Sequence, residues 1–278
     1  MKLKLLKIIF ICLLIILLAI FIYWAKDTTM NNEKCAEIYF LQLNEADCTI
    51  IKYKNQVIMI DTGEKDDEIA IIERLKELNI DSINYMILTH PDKDHIGNAK
   101  VVIENFKVEK IIQSGFDKCS ELQKNLNNIV EKMQIENIIV DNEYNITVND
   151  MTLNIYGTQQ GQYKESNDNS LITIVDLGKR KVCLAGDIEK DRIQEILNKE
   201  IVPQCDVLKV PHHGRNNKLS EDFIKKVAPN YAIITSKNAD KEIVTVLNNI
   251  RSKTYYTDKC EVKCITDGSR LYCTPNYK

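Results

Sequence analysis

Four histidines occur in 278 residues, and they fall in two tight clusters, His90 with His95 and His212 with His213, each beside a proline. The stretch Thr89-His90-Pro91-Asp92-Lys93-Asp94-His95 brings two imidazoles and two carboxylates together at the end of the apolar run SINYMIL. Neutral imidazole and ionised carboxylate are ligands for Zn²⁺, Mn²⁺ or iron, and an apolar core does not tolerate such a group without a compensating cation. A solvated turn accounts for Asp92, Lys93 and Asp94, but it does not account for a second histidine pair far along the chain. Three more apolar runs end in groups of the same kind: Asp61 closes VIMIDTG, Asp187 closes KVCLAGD, and His212-His213 close DVLKVPHHG. Alone, an aspartate at a strand end beside glycine is more often a turn than a site. Together these strand ends describe a metal centre.

The elements that must position these groups read as one mixed α/β domain. AEIYFLQL, CTIIKY and QVIMIDTG are predicted as the first strands, and DDEIAIIERLKELNI as a helix with Ile69, Ile71, Ile72, Leu75 and Leu78 on its apolar face. SINYMILTH is a strand running into the first cluster, and helices follow after His95 and over 118–134. KIIQSG, NIIV, ITVND and MTLNIYG are strands, SLITIVDLG and KRKVCLAGD a hairpin, and DRIQEILNKEI a helix. DVLKVPHHG is a strand into the second cluster, before a helix, the strand YAIITS, a further helix and a terminal hairpin. This order predicts two sheets face to face with helices outside. With 44% apolar and 28% charged residues the chain builds a core and is neither disordered nor collagenous, and nine glycines and five prolines are too few for a sandwich built on Gly/Pro turns.

Residues 8–24 (IIFICLLIILLAIFIYW) carry no charge and no proline, and Lys2, Lys4 and Lys7 precede them. At about 1.5 Å per residue such a run spans roughly 25 Å, the lower limit for crossing a bilayer. No small-x-small cleavage site follows in YWAKDTT, while Tyr23 and Trp24 stand where an interfacial aromatic belt would. The expected organisation is a cytoplasmic tail (1–7), a transmembrane signal anchor (8–24), a linker (25–35) and an extracytoplasmic domain (36–278) in a single-pass membrane protein; cleavage of the anchor would make it secreted. The net charge is −3, but without Lys2, Lys4, Lys7 and Lys26 the remainder holds 33 basic against 40 acidic residues, or −7. That balance counts against a generally basic nucleic-acid-binding surface. Of the nine cysteines, Cys12 lies in the apolar run; Cys264 and Cys273 flank the Asp267-Gly268 turn and could meet across strands, and Cys48, Cys183 and Cys205 read as core residues.

The ordered set Asp61, HxDxDH at His90 to His95, Asn167-Asp168-Asn169-Ser170-Leu171, Gly186-Asp187 and His212-His213-Gly214 resembles the metallo-β-lactamase fold superfamily. Within it, the set is most similar to the hydrolase domain at the C-terminus of ComEC/Rec2 competence proteins, over roughly residues 36–274. The resemblance implies a four-layer αββα sandwich of two mixed sheets. Asp92 stands where the broader HxHxDH signature has its second histidine, as is typical of this branch, and NDNSL stands where other members place a metal-binding histidine. Two features depart from the branch. Its Gly-Gln-Gly-Asp turn is Asn44-Glu45-Ala46-Asp47 here, keeping only Asp47, and Ser236 is followed by KNADKE with no histidine.

By this resemblance Asp94, His95 and a histidine of the second pair hold one metal, His90 and Asp92 hold another, and Asp187 bridges them. The register favours His213 as ligand and leaves His212 for substrate or catalytic work beside Asp94 and Asp187. Asp61 becomes an orienting carboxylate, while Asp47, Asn167, Asn169 and Ser170 face substrate or support the ligands. So oxygen-rich a set shifts preference from Zn²⁺ toward Mn²⁺, with Mg²⁺ as a further option. Two such ions roughly 3.5–4 Å apart activate water for hydrolysis. The expected function is a membrane-anchored, metal-dependent phosphodiesterase of nuclease type, with no protein partner deducible. A small-molecule hydrolase on lactam, lactone or cell-wall substrates is the alternative, and a binding module that lost activity with the third histidine is a further one.

Overall fold

The structure is a computed structural model that describes residues 35–159 and 162–277. The apolar run at 8–24, on which the expected anchor rests, lies outside them. Among the described residues no helix is long and apolar enough to cross a membrane.

The first half alternates strands and helices. β1 (Ala36–Phe40), β2 (Thr49–Tyr53) and β3 (Gln56–Ile60) form an antiparallel meander, then α1 (Glu68–Glu77) crosses to β4 (Ser82–Leu88). The short α2 (Lys93–Ile96) and α3 (Ala99–Asn105) lead to β5 (Lys107–Ser114), and α4 (Glu121–Lys132) leads to β6 (Glu136–Val140). The second half opens with the antiparallel strands β7 (Glu143–Val148), β8 (Met151–Tyr156), β9 (Ile172–Leu177) and β10 (Arg180–Leu184). It continues through α5 (Lys190–Lys199), β11 (Val207–Lys209), α6 (Ser220–Val227), β12 (Tyr231–Ile234), α7 (Lys241–Asn249) and β13 (Lys253–Tyr256). The terminal hairpin, β14 (Glu261–Thr266) and β15 (Leu271–Asn276), returns to the first sheet and pairs with β1. The sheet orders are β15-β14-β1-β2-β3-β4-β5-β6 and β13-β12-β11-β10-β9-β8-β7.

Three apolar clusters make four layers of this. Between the sheets lie Ile38, Phe40, Ile58 and Ile87 from one side and Leu153, Val175, Val182 and Val207 from the other. Outside the first sheet, Met59 and Met86 pack with Ile71, Leu75, Val102 and Leu126 of the helices. Outside the second, Cys183, Leu208 and Ala232 meet Ile193, Phe223 and Leu247. Strands buried on both faces read as continuous apolar runs, which is why SINYMIL and its counterparts stand out in the sequence.

Local signals account for several boundaries. Ser120 caps α4 by accepting from Gln123 N at 3.1 Å, so the helix begins at Glu121, later than the 118 expected. In α1 only Ile71 and Leu75 are buried within the helix, whereas Ile69 is 72% exposed. At 100° per residue Ile69 stands about 200° from Ile71 and cannot share its face. Cys264 and Cys273 are directly paired in the β14–β15 ladder and joined by a disulfide. Cys48, Cys183 and Cys205 are buried, as expected.

Candidate metal centre

Each sheet contributes one parallel strand pair to the site. β3 and β4 run parallel with Ile60 opposite Ile87, and β10 and β11 run parallel with Leu184 opposite Lys209. Parallel neighbours end at the same edge, so Asp61 and His90 emerge side by side from one sheet, and Asp187 and the His212-His213 pair from the other. β9 is antiparallel to β10, with Thr173 opposite Leu184, so the NDNS segment at its start reaches that same edge. Leu171 N donates to Thr89 O at 2.9 Å and stitches the two edges together. The backbone is locally strained where it delivers these groups: Asp61, His212 and His213 all adopt left-handed φ, at 59°, 50° and 53°.

Asp94, His95, Asp187 and His213 offer ligand atoms that all lie within 4.8 Å of one another. Asp187 Oδ2 is 3.3 Å from His95 Nε2 and 3.2 Å from His213 Nε2, and Asp94 Oδ2 is 3.1 Å from His213 Nε2. A second position lies beside them. His90 Nε2 and Asp92 Oδ1 are 3.9 Å apart, and both are buried atoms without a hydrogen bond, as is His95 Nε2. Buried orphan acceptors and donors of this kind cost free energy unless a cation fills the gap between them, so the donor set fits divalent metal.

Every imidazole of the set is held by its other nitrogen. His95 Nδ1 lies 2.8 Å from Asp61 Oδ2, His213 Nδ1 lies 3.0 Å from Thr235 Oγ1, and His90 Nδ1 lies 3.2 Å from Ser170 Oγ. Asp61 is fixed in turn by Thr89, whose N and Oγ1 both donate to it at 2.8 Å. This is the outer support that turns each Nε2 toward the cavity. Charge follows the same plan. Burial pushes His90 down to about 3, so its lone pair is free. Burial also acts to lower His95 and His213, but Asp187 with Asp61 raises His95 well above its usual value, and Asp187 with Asp47 raises His213 to about 9. Protons there occupy the place a cation would take.

Of the residues expected from sequence, His90, Asp92, Asp94, His95, Asp187 and His213 converge. His212 is not in the ligand cluster; its Nδ1 lies 3.0 Å from Glu189 Oε1, and burial lowers its pKa. Asp47 is buried in contact with Lys209, its Oδ1 3.5 Å from His213 Nδ1. Asn167 lines the cavity and donates to Glu189 at 2.9 Å. Asn169 does not face it: its Nδ2 donates to Tyr163 O and Glu165 O while Oδ1 accepts from Thr158, so this side chain holds the loop. The cavity over the ligands measures about 410 Å³ and is rimmed by Asn44, Glu45, Glu64, Lys93 and Arg215.

Three contributors escape a ligand-centred reading. Lys209 is buried on β11, within hydrogen-bond reach of Gly186 O at 3.0 Å and Asp187 Oδ1 at 3.1 Å, and in contact with Asp47, so a fixed positive charge sits against the central carboxylate. Its signal was present in DVLKVPHHG, where a lysine interrupts an otherwise apolar strand. Lys118 Nζ holds Asp92 Oδ2 at 2.8 Å from the loop before α4, and nothing in its own neighbourhood of sequence marks it. Glu189, two residues past Asp187, meets His212.

Comparison with known proteins agrees with this geometry. The chain is 29% identical over 178 residues to ComE operon protein 3 of Bacillus subtilis, covering 63% of this chain and 22% of that protein. It is 25% identical over 200 residues to recombination protein 2 of Haemophilus influenzae, covering 70% of this chain and 24% of that protein. The chain thus spans under a quarter of the length of these relatives. Among solved structures, the metallo-beta-lactamase fold protein YhfI of Bacillus subtilis superposes with a TM-score of 0.53 at 11% identity, over 80% of this chain and 95% of that one. CmlA, a diiron beta-hydroxylase of Streptomyces venezuelae, does so with a TM-score of 0.51 at 8% identity, over 86% of this chain and 54% of that one. Both show the fold alone. The model of the metallo-beta-lactamase superfamily matches residues 42–235, from the turn that carries Asp47 to the strand behind His213, and on this match and the two competence relatives the chain belongs to that superfamily, in its ComEC-like branch.

Proposed function

We propose that the chain is a membrane-anchored, metal-dependent hydrolase that cleaves phosphodiester bonds, of nuclease type. The observation that carries it is the oxygen-rich donor set: Asp92 stands beside His90, and the carboxylates of Asp94 and Asp187 complete the cluster of His95 and His213. Hard, oxygen-rich positions favour Mn²⁺ or Mg²⁺ over Zn²⁺, and such ions grip phosphate oxygens. Residues His90 and Asp92 would hold one ion, Asp94, His95 and His213 the other, with Asp187 between. A pair of divalent ions supplies Lewis acidity and a nucleophilic water at neutral pH. The chain's own groups do the rest: Asp61, Thr235 and Ser170 keep the imidazoles aimed, and Lys209 fixes one oxygen of Asp187 so that the other faces the cavity. The anchor reading is supported by the apolar run 8–24, and its leading lysines support a catalytic domain outside the cytoplasm.

The test is cleavage of bis-p-nitrophenyl phosphate and single-stranded oligonucleotides by the full chain in detergent. Mn²⁺-dependent turnover that His90→Ala reduces by at least about 100-fold is expected; turnover indifferent to metal or to His90 overturns the reading. A second reading, a small-molecule hydrolase on lactam, lactone or cell-wall substrates, is favoured by the −7 balance of residues 27–278, which repels a polyanion. Faster turnover of nitrocefin or a lactone than of the phosphodiester selects it.

A further inference from the structure

The His212 ring stands on the cavity wall, outside the ligand cluster, in a left-handed backbone conformation (φ 50°, ψ 47°) that a non-glycine residue adopts only when its surroundings demand it. Its two nitrogens meet opposite kinds of partner. Nδ1 lies 3.0 Å from Glu189 Oε1. Nε2 lies 3.5 Å from Asn167 Nδ2 and 3.5 Å from Arg215 Nη1, which are both N–H donors. The Asn167 amide cannot be reversed, because the same Nδ2 donates to Glu189 Oε1 at 2.9 Å. An imidazole between a carboxylate and two donors is satisfied only with the proton on Nδ1 and the lone pair on Nε2.

Glu189 is itself placed with care. Its backbone N donates to Asp168 Oδ1 at 3.0 Å, and the same oxygen accepts from Arg192 N at 3.1 Å. Asn167 grips its carboxylate from the same three-residue turn. The NDN turn and the start of α5 therefore hold the carboxylate against Nδ1 of a ring that lines the cavity. A carboxylate on one nitrogen of an imidazole fixes the lone pair on the other and so makes the ring a hydrogen-bond acceptor.

We propose that Glu189 is a positioning residue that locks His212 in its Nδ1–H form, so that the Nε2 lone pair, met only at 3.5 Å by Asn167 and Arg215, exchanges these long contacts for the hydrogen bond of the attacking water in the cavity. This rests on the hydrolase reading above for its kinetic consequence, but not for the state of the ring.

The experiment therefore has two arms on the full chain. In the first, ¹⁵N-labelled, EDTA-treated protein is observed at pH 8 by two-dimensional imidazole NMR; with only four histidines in the sequence, the His212→Gln spectrum assigns the ring by difference. Wild type is expected to show protonated Nδ1 and bare Nε2. Glu189→Leu should shift the ring toward the Nε2–H form, and Glu189→Gln, which keeps an accepting oxygen, should retain the Nδ1–H form. In the second arm, Mn²⁺-loaded Glu189→Leu should lose about 10- to 100-fold in kcat on bis-p-nitrophenyl phosphate with KM and metal content unchanged, and Glu189→Gln should recover most of it. A wild-type ring protonated on Nε2, or a Glu189→Leu variant with unaltered tautomer or unaltered kcat, overturns the proposal. A wild type that turns over no phosphodiester sinks the hydrolase reading instead, and the NMR arm still decides the lock.

Discussion

At the scale of single residues the site is an array of opposed charges held out of water, and Lys209 is the member that carries positive charge and is no candidate ligand. It is buried against Asp47 and Asp187, and these carboxylates in turn raise its pKa further, over the opposing effect of burial. Removing one partner of a buried ion pair leaves the other uncompensated. Lys209→Met is expected to destabilise the metal-free protein by roughly 3–5 kcal/mol, and by less when Mn²⁺ can balance Asp187; equal losses of Tm with and without metal would contradict this. His213 sets a pH window. Its folded-state value, about 9, lies above the ordinary 6.5. The stabilisation from its proton is therefore fully present below pH 6.5 and lost as pH rises through about 9. Metal-free protein should accordingly lose Tm over that interval, while metal-loaded protein, whose ligands are already deprotonated, should not. Melting curves in EDTA and in Mn²⁺ across the interval check both.

At the scale of elements, the candidate ligands are delivered by strand ends whose backbones turn in conformations that side chains resist. Gly186, just before Asp187, has φ 54°, and a Cβ there would stand 2.8 Å from Ser170 Cβ and 3.2 Å from Thr89 Cβ. Ser170 and Thr89 are the residues that contact His90 Nδ1. Gly186→Ala is therefore expected to cost about 1–2 kcal/mol in backbone strain and to weaken metal binding at least about tenfold by displacing these supports. Calorimetric titration with Mn²⁺ measures the second effect, and an unchanged affinity would show that the strand end has room to yield. The helices act at a distance, burying Phe223, Leu247 and Leu75 against the outer faces of the sheets and so fixing how far each strand end projects.

At the scale of the whole molecule, the first sheet is completed by the last strands of the chain, and the Cys264–Cys273 disulfide staples that hairpin at its edge. A cross-link over a separation of 9 residues removes about 2–3 kcal/mol of chain entropy from the unfolded state in the loop-closure model. Cys264→Ser should lower Tm by that order and leave metal content unchanged, since the hairpin lies on β1, away from the ligand edge; a loss of metal with the disulfide would contradict this placement. The pairing was legible from the turn between the two cysteines. The return of the hairpin to the first sheet was not, because strand order in a sheet depends on contacts between residues more than 200 positions apart, such as Ala36 with Thr266.

Residue type and spacing alone marked the strand ends that carry imidazoles and carboxylates, and an element order that makes two sheets with helices outside, because several buried runs ending in such groups are not explained by turns; the division of those groups between two ions came only with the resemblance to the metallo-β-lactamase superfamily. They marked His212 and His213 as a pair, and the register of the resemblance favoured His213 as ligand. The tertiary structure gives that separation its physical form, turning His213 to Asp94 and Asp187 and His212 to Glu189, since two adjacent left-handed residues throw neighbouring side chains in different directions. The structure likewise drew Asn169 away from the cavity and brought Lys118 and Lys209 to the carboxylates. Partners that come from different elements leave no periodicity in a sequence, because the distance between them is set by sheet packing and not by the chain.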